Sequence, residues 1–444
     1  MRHRLVLLVL FLAAFSSPLP ATSSSPFSPE ECARRRAQLM ETAREGLVVL
    51  FGETQAPPGS RFRQDNDFYY LTGINDSGAV LVLVNAKAEA HLFLPEQGER
   101  EIMVGGANLL RDADAAARLK LRSIAGLSAL DEFLARRLSA SGSVLYARLA
   151  PGDTLDSDRY EERLYMARRS RSHFNDYPSP DLARAAKLRT IFPDAQLRDV
   201  SPLLATMRAV KSGAEIDSLR RNGRLSAEAV RQAMRQTRPG AFEYTLEGAA
   251  VGWVLGHGAR GLAFQPIVAA GLNACTWHYE RNDKRLAAGE LVLMDFGADL
   301  EHLCMDISRT WPVSGTFSPE QREIYTAVLE VQKAVIAACR PGADAAMIRE
   351  VVAAELARKK ITTRGLQGDI HHFVGLSTHD GSPGELPLQA GMVLTVEPGL
   401  YYPEKGIGVR IEDTILITAD GCEVLSAAVP KEIGEIERLV KETE

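Results

Sequence analysis

The chain has 444 residues, 45% of them apolar, with 52 Lys and Arg against 57 Asp and Glu, for a net charge of −5. This is the composition of a globular protein long enough for two domains, and no basic tract marks a nucleic-acid or anionic-membrane binder. The five cysteines, Cys32, Cys275, Cys304, Cys339 and Cys422, are scattered and lack Cys-x-x-Cys spacing, which excludes a disulfide scaffold. Cys304 and Cys339 lie in apolar runs and read as buried thiols.

Residues 1–25 read as a signal peptide. Arg2 and Arg4 precede the unbroken apolar run Leu5–Phe15, followed by small and proline-rich sequence. The run is shorter than the roughly 20 residues that cross a bilayer, so the expectation is export to a periplasm or the medium, with no membrane span left in the mature chain. From 28 to 203 helical and strand patterns alternate. They predict helix Cys32–Glu45, strand Gly46–Phe51, a strand pair Ala79–Asn85 and Ala90–Leu94, helices Asp112–Leu121 and Leu127–Ala140, strand Ser143–Arg148 and helix Tyr160–Ser170. Strands separated by helices imply an α/β domain with a mixed or parallel sheet. Within it, Arg63–Gly73 is aromatic and polar together, either core plus turn or a patch serving a site.

From 204 to 444 the character changes to long helices around acid-bearing strands, an α+β domain. Ser212 and Glu215 form a capping box that opens a helix to about Gln236, and Phe242–Leu255 is the next. Ser318-Pro319 opens another, with Ile324, Val328, Val331 and Val335 on one face. Pro341-Gly342 ends it, and Asp344–Lys359 follows.

The stretch Leu291–Ser308 sets two apolar runs about a short polar turn, the pattern of a hairpin. A turn between Leu300 and Glu301 sets Asp295 directly opposite Asp306, their Cβ atoms roughly 5 Å apart. Two carboxylates that close repel unless they share a proton or a cation lies between them. The run Gly391–Gly399 repeats the layout of Gly289–Gly297, with Glu397 in the place of Asp295, and Val409–Ile417 carries Glu412. Two hairpins, each with one acid per strand, read as an internal duplication facing a common centre. His371, His372 and His379 cluster just before the second acid pair, and His278 follows the strand-like Ile267–Ala270. Four carboxylates and an imidazole favour Mn(II), Co(II), Fe(II) or Zn(II) over a thiolate-loving ion. Two ions bridged by carboxylates are the economical arrangement, and such a pair serves hydrolysis.

The order Asp295, Asp306, His372, Glu397, Glu412 is similar to that of the pita-bread dinuclear metallopeptidases, which include methionine aminopeptidase, aminopeptidase P, prolidase and the metal-free creatinase. Thr395–Tyr401 and Gly408–Asp413 resemble the Xaa-Pro branch, and Phe62–Asp65 with Phe68–Gly73 resemble the aminopeptidase P amino-terminal domain. The resemblance implies an α+β pita-bread catalytic domain behind an α/β aminopeptidase P-type domain. It implies two divalent ions, Mn(II) first and Co(II) or Zn(II) as alternatives. By resemblance Asp295 chelates one ion, Asp306 and Glu412 bridge both, and His372 and Glu397 complete the second. A metal-bridging hydroxide then attacks the carbonyl before proline while Glu397 carries the proton to the leaving nitrogen. His278 and His379 would donate hydrogen bonds to substrate and oxyanion. Arg410 and Tyr401 would shape the proline pocket, unless Arg410 is instead a buried partner of Glu412 or Asp413. The family often has a further histidine where this chain has Gly368, which puts substrate preference in doubt. The activity implied is that of an Xaa-Pro aminopeptidase acting on peptides with proline second, the alternatives being a prolidase limited to dipeptides or a metal-free binding protein. A homo-oligomer, dimer or tetramer, is implied as well.

Overall fold

A computed structural model describes residues 25–442 apart from 57–60, 140–142, 156, 158, 170, 172–178, 362–369 and 382–385, so the expected signal segment, save Ser25, and Gly368 lie outside the described residues. The amino-terminal half is built on a six-stranded sheet in the order Ser123–Gly126, Glu89–Leu94, Val80–Val84, Leu47–Phe51, Val144–Ala147, Gln196–Asp199. Pairing is antiparallel among Glu89–Leu94, Val80–Val84 and Leu47–Phe51, and parallel outside them. Leu47–Leu50 is continuously apolar because both faces are covered. Val48 and Leu50 join Leu39 of helix Pro29–Ala43 in one core, while Leu47 and Val49 join Leu134 and Leu138 of helix Leu130–Leu138 in another. Burying each such side chain contributes roughly 1.5–3 kcal/mol.

Most of the predicted elements of this half are present. Asp112–Leu121 is the exception: only the single turn Ala115–Arg118 is α-helical. The pattern reading omits helices Asn66–Thr72, Glu99–Gly105 and Pro180–Ile191 and the strands Ser123–Gly126 and Gln196–Asp199. Arg63–Gly73 is a joint to the other half. Asp65 caps helix Asn66–Thr72, and Gly73, at φ 65°, ends it in the left-handed region that favours glycine. The Arg63 guanidinium reaches Asp299 at 3.1 Å and donates to the carbonyls of His302 and Leu376. Nearby, buried Arg208 pairs with Asp67 at 2.8 Å, with Asp153 at 2.6 Å and with Asp380, and Lys211 holds the other Asp380 oxygen at 3.0 Å.

In the carboxyl-terminal half the capping boxes of Ser212 and Ser318 are both formed, on helices Gly213–Gln236 and Pro319–Ala338. Ile324, Val328, Val331 and Val335 are buried as their spacing predicts. These helices cover two three-stranded antiparallel sheets, each a hairpin with one added strand. One is Ile267–Ala270, Leu291–Phe296 and Ile307–Pro312; the other is Val393–Val396, Asp413–Ile417 and Cys422–Val424. They meet along Ile307–Pro312, where the Glu412 N–H donates to the Ser308 carbonyl at 3.0 Å and the Thr310 hydroxyl to the Arg410 carbonyl at 3.0 Å.

The first hairpin differs in register from its prediction. Its turn is Glu301-His302, both in the left-handed region at φ 55° and 66°, as a two-residue hairpin turn requires. Asp295 therefore faces Ser308, not Asp306. Asp306 lies two residues before Ser308, on the same face and diagonal to Asp295. His302 is drawn into the turn by burial, stacked on Tyr69 with ring centroids 3.7 Å apart. At Gly297 the strands come so close that a Cβ would lie 1.6 Å from the Met305 carbonyl oxygen.

Behind this seam, buried Arg309 donates to the carbonyls of Ser308, Glu412, Val429 and Pro430 and pairs with Asp413 at 2.6 Å. Replacing it removes five bonds and leaves carbonyls unmet in a dry place. Arg309→Met is expected to destabilise the protein by roughly 3–5 kcal/mol. Urea unfolding of metal-stripped protein measures this, and a loss below about 1 kcal/mol, the scale of one ordinary hydrogen bond, would contradict the clamp.

Candidate metal centre

Asp295 lies at the end of its strand, Asp306 just before Ile307–Pro312, Glu397 just after Val393–Val396, and Glu412 just before Asp413–Ile417. The second hairpin keeps one register on both sides of the acids, with Val396 opposite Asp413 and Gly399 opposite Arg410, so Glu397 and Glu412 stand across from each other. His372 comes from the segment before that hairpin, its N–H donating to the Thr395 hydroxyl at 3.1 Å.

Ligand atoms of Asp306, His372 and Glu412 lie within 4.8 Å of one another. His372 Nε2 is 3.5 Å from Asp306 Oδ2 and 3.4 Å from Glu397 Oε1. Its Nδ1 is 3.2 Å from the Phe373 carbonyl, so Nδ1 carries the proton and Nε2 offers a lone pair. Asp295 joins the group from the side, its Oδ2 held by Arg410 at 2.6 Å. The sequence-based alternative for Arg410 thus named the wrong partner: Asp413 is taken by Arg309 and by Lys431 at 2.6 Å.

Hydroxyls support the acids at every second strand position. Ser308 donates to Glu412 at 2.9 Å and accepts from Arg410 at 2.8 Å. Thr395 reaches Glu397 at 3.4 Å, and Thr414 bonds the Asp306 backbone carbonyl at 2.7 Å. Sequence reasoning passed over these three, yet the period-2 spacing Asp306/Ser308, Thr395/Glu397 and Glu412/Thr414 was a signal for them. Tyr401 accepts from Arg410 at 3.2 Å, and His379 packs against His372 with ring centroids 4.0 Å apart. His278 is exposed on the groove wall, on a loop tied down by buried Glu243, which accepts from the Ala270 and Lys284 N–H groups, Asn273 and Tyr279.

Burial, and then the charges of Glu412, Asp295 and Glu397, hold Asp306 well above the carboxylate range. Burial, and then Glu397 and Asp295, do the same to Glu412. Burial and Asp295 push Glu397 up to about 7 against the pull of Arg410. Burial, with His379 beside it, holds the His372 imidazole well below its usual value and so neutral. Among the described residues, Asp295 Oδ1, Asp306 Oδ1 and Glu412 Oε1 are buried without a hydrogen-bond partner. Unmet buried carboxylate oxygens around a neutral imidazole are what divalent cations satisfy. The residues fit the metal group.

Comparison with known proteins gives the same answer. Residues 217–419 match the model of metallopeptidase family M24, and 32–146 match the aminopeptidase P amino-terminal domain. The chain is 33% identical to Xaa-Pro aminopeptidase of Escherichia coli over 94% of its length and 98% of that protein. The chain belongs to metallopeptidase family M24. It is also 30% identical to human Xaa-Pro aminopeptidase 3, over 91% of this chain and 83% of that one. Escherichia coli aminopeptidase P with the inhibitor Pro-Leu superposes with a TM-score of 0.78 at 32% identity, covering 94% of this chain and 99% of the other. The family is that expected from the ligand order, and the fold is the α+β pita-bread architecture with an aminopeptidase P-type amino-terminal domain. This M24 protein is a metal-dependent hydrolase, not a metal-free binding protein.

In metal-free protein the raised Glu397 makes the folded state bind a proton that the unfolded state has released. Its contribution is complete below the ordinary value of 4.5 and is lost as pH rises to about 7. The metal-free protein is expected to lose stability across that window, and a divalent ion to reverse the trend. Thermal unfolding of stripped Glu397→Gln protein checks it: the variant should show a flatter pH profile, and a profile as steep as the parent's would remove Glu397 as the cause.

Proposed function

We propose that this M24 metallopeptidase is an Xaa-Pro aminopeptidase, hydrolysing the bond between an amino-terminal residue and a following proline. The observation that carries the reading is the convergence of four carboxylates and one imidazole at the floor of a groove, together with the activity named for relatives that share nearly the whole chain. Asp295, Asp306, His372, Glu397 and Glu412 would hold two divalent ions, Mn(II) first among them, with Co(II) or Zn(II) as substitutes. When bound, such a pair activates water near neutral pH and polarises the scissile carbonyl.

The chain's own side chains supply the rest. Glu397 takes up a proton and returns it to the proline nitrogen, which leaves poorly as an anion. His278 and His379 orient the peptide and stabilise charge on its carbonyl oxygen. Arg410, fixed by Asp295, Ser308 and Tyr401, forms the proline-side wall with Tyr401. The groove continues past the metal centre between helices Arg159–Arg169 and Ala345–Arg358, with a volume of about 1420 Å³. That exceeds the roughly 300–1,000 Å³ of small-ligand pockets, and favours longer peptides over a prolidase's dipeptides. We also infer a division into domains near residue 203, export directed by residues 1–25, and a homo-oligomer (dimer or tetramer). Among the described residues no helix is long and apolar enough to cross a membrane.

Mature protein stripped of metal and reloaded with Mn(II), Co(II) or Zn(II) is to be given an Xaa-Pro dipeptide and an Xaa-Pro-Xaa-Xaa peptide, with products read by mass spectrometry. Release of the first residue from the longer peptide is expected. Asp306→Ala should reduce that release to background and lower the bound metal. Cleavage of the dipeptide alone would make the protein a prolidase, and no cleavage with any ion would sink the peptidase reading.

A further inference from the structure

We propose that Glu161, on a helix of the amino-terminal half, is a positioning residue for His379, an inference that rests on the reading of the metal centre as an Xaa-Pro peptidase. Glu161 Oε2 lies 2.7 Å from His379 Nδ1, across 218 residues of sequence. The His379 ring packs against the metal-ligand candidate His372 and lines the groove.

The backbone on either side of His379 is already fixed. The Thr378 N–H donates to the Leu155 carbonyl at 2.8 Å and its hydroxyl to the Ala263 carbonyl at 3.0 Å. The Asp380 N–H donates to the Phe373 carbonyl at 2.8 Å, and the Asp380 carboxylate is held by Arg208 and Lys211. None of these contacts sets the rotation of the ring about its side-chain bonds, nor which nitrogen carries the proton. A carboxylate at Nδ1 sets both, placing the proton on Nδ1 and directing the Nε2 edge away from Glu161.

Glu161 is itself anchored. The stretch before its helix is pinned to the catalytic half by the Ser377 hydroxyl, which donates to the Thr154 carbonyl at 2.7 Å. The first turn is tied by the Ser157 hydroxyl to Glu162 at 2.6 Å. The amino-terminal half thus delivers a carboxylate to a fixed point over the site. The pair is partly open to solvent, with the Glu161 side chain 36% and that of His379 30% exposed. Ion pairs at that exposure contribute little to stability, so a purely structural purpose is a poor account of it, and its variants should fold.

The test uses full-length mature protein loaded with metal. Glu161→Ala should lower kcat on an Xaa-Pro-Xaa-Xaa peptide by roughly 10- to 100-fold, the range for residues that orient a site imidazole. Bound metal, KM and thermal midpoint should be little changed. Glu161→Gln, whose amide oxygen still accepts from Nδ1–H, should recover part of the loss. In a His379→Ala background Glu161→Ala should cost nothing further, because the two act as one unit. In ¹⁵N-histidine spectra the His379 nitrogens should move in Glu161→Ala, a readout that needs no turnover and stands if the peptidase reading fails. An unchanged His379 spectrum, or a Glu161→Ala loss as large without His379 as with it, would overturn the proposal.

Discussion

Four carboxylates packed at the floor of one groove, two of them buried, repel one another, and most of the local structure can be read as a response to that repulsion. Asp306 and Glu412 are buried, and each keeps an oxygen without a hydrogen-bond partner among the described residues. The protein compensates only in part. Arg410 neutralises one oxygen of Asp295, hydroxyls of Ser308 and Thr395 meet Glu412 and Glu397, and His372 stays neutral. The uncompensated remainder is the affinity for cations: stability withheld from the empty fold is returned when ions bind.

That arrangement needs two strand ends from each sheet to reach the same place. The seam along Ile307–Pro312 does this by letting backbone and hydroxyl groups of one hairpin complete those of the other, with Arg309 gathering the carbonyls behind it. The two acid-bearing hairpins are not symmetric in detail. Glu397 and Glu412 are opposed across their ladder, whereas Asp295 and Asp306 are diagonal because the first turn is Glu301-His302. Equivalent sequence layouts therefore yield inequivalent acid pairs.

Much of this was legible in the sequence because it lies in short-range patterns. The capping boxes of Ser212 and Ser318, the stripe from Ile324 to Val335 and the acid-bearing strands are all readable within a window of a few residues. The four acids among the ligand candidates stood out because each borders an apolar strand, and His372 because it belongs to a histidine cluster just ahead of the second acid pair. What escaped depends on tertiary context. Gln196–Asp199 is a polar edge strand with no apolar signature. Asn66–Thr72 is too short and aromatic to read as a helix, and His302 gave no local sign that it would be buried in a turn. Glu161 could not be connected with His379, because only the fold brings together a surface helix of one half and a loop of the other.

The Glu301-His302 turn carries a consequence for the active site that lies far from its chemistry. The tip of the first acid-bearing hairpin is gripped by the amino-terminal half, Tyr69 stacking on His302 while Arg63 holds the His302 carbonyl and Asp299. In a ladder of period two, a slip of one residue would send Asp306 and Ser308 to the opposite face. The aminopeptidase P-type half is thus a gauge for the other: by fixing where the hairpin turns, it decides which side chains of the strand face the acid cluster and which face the core.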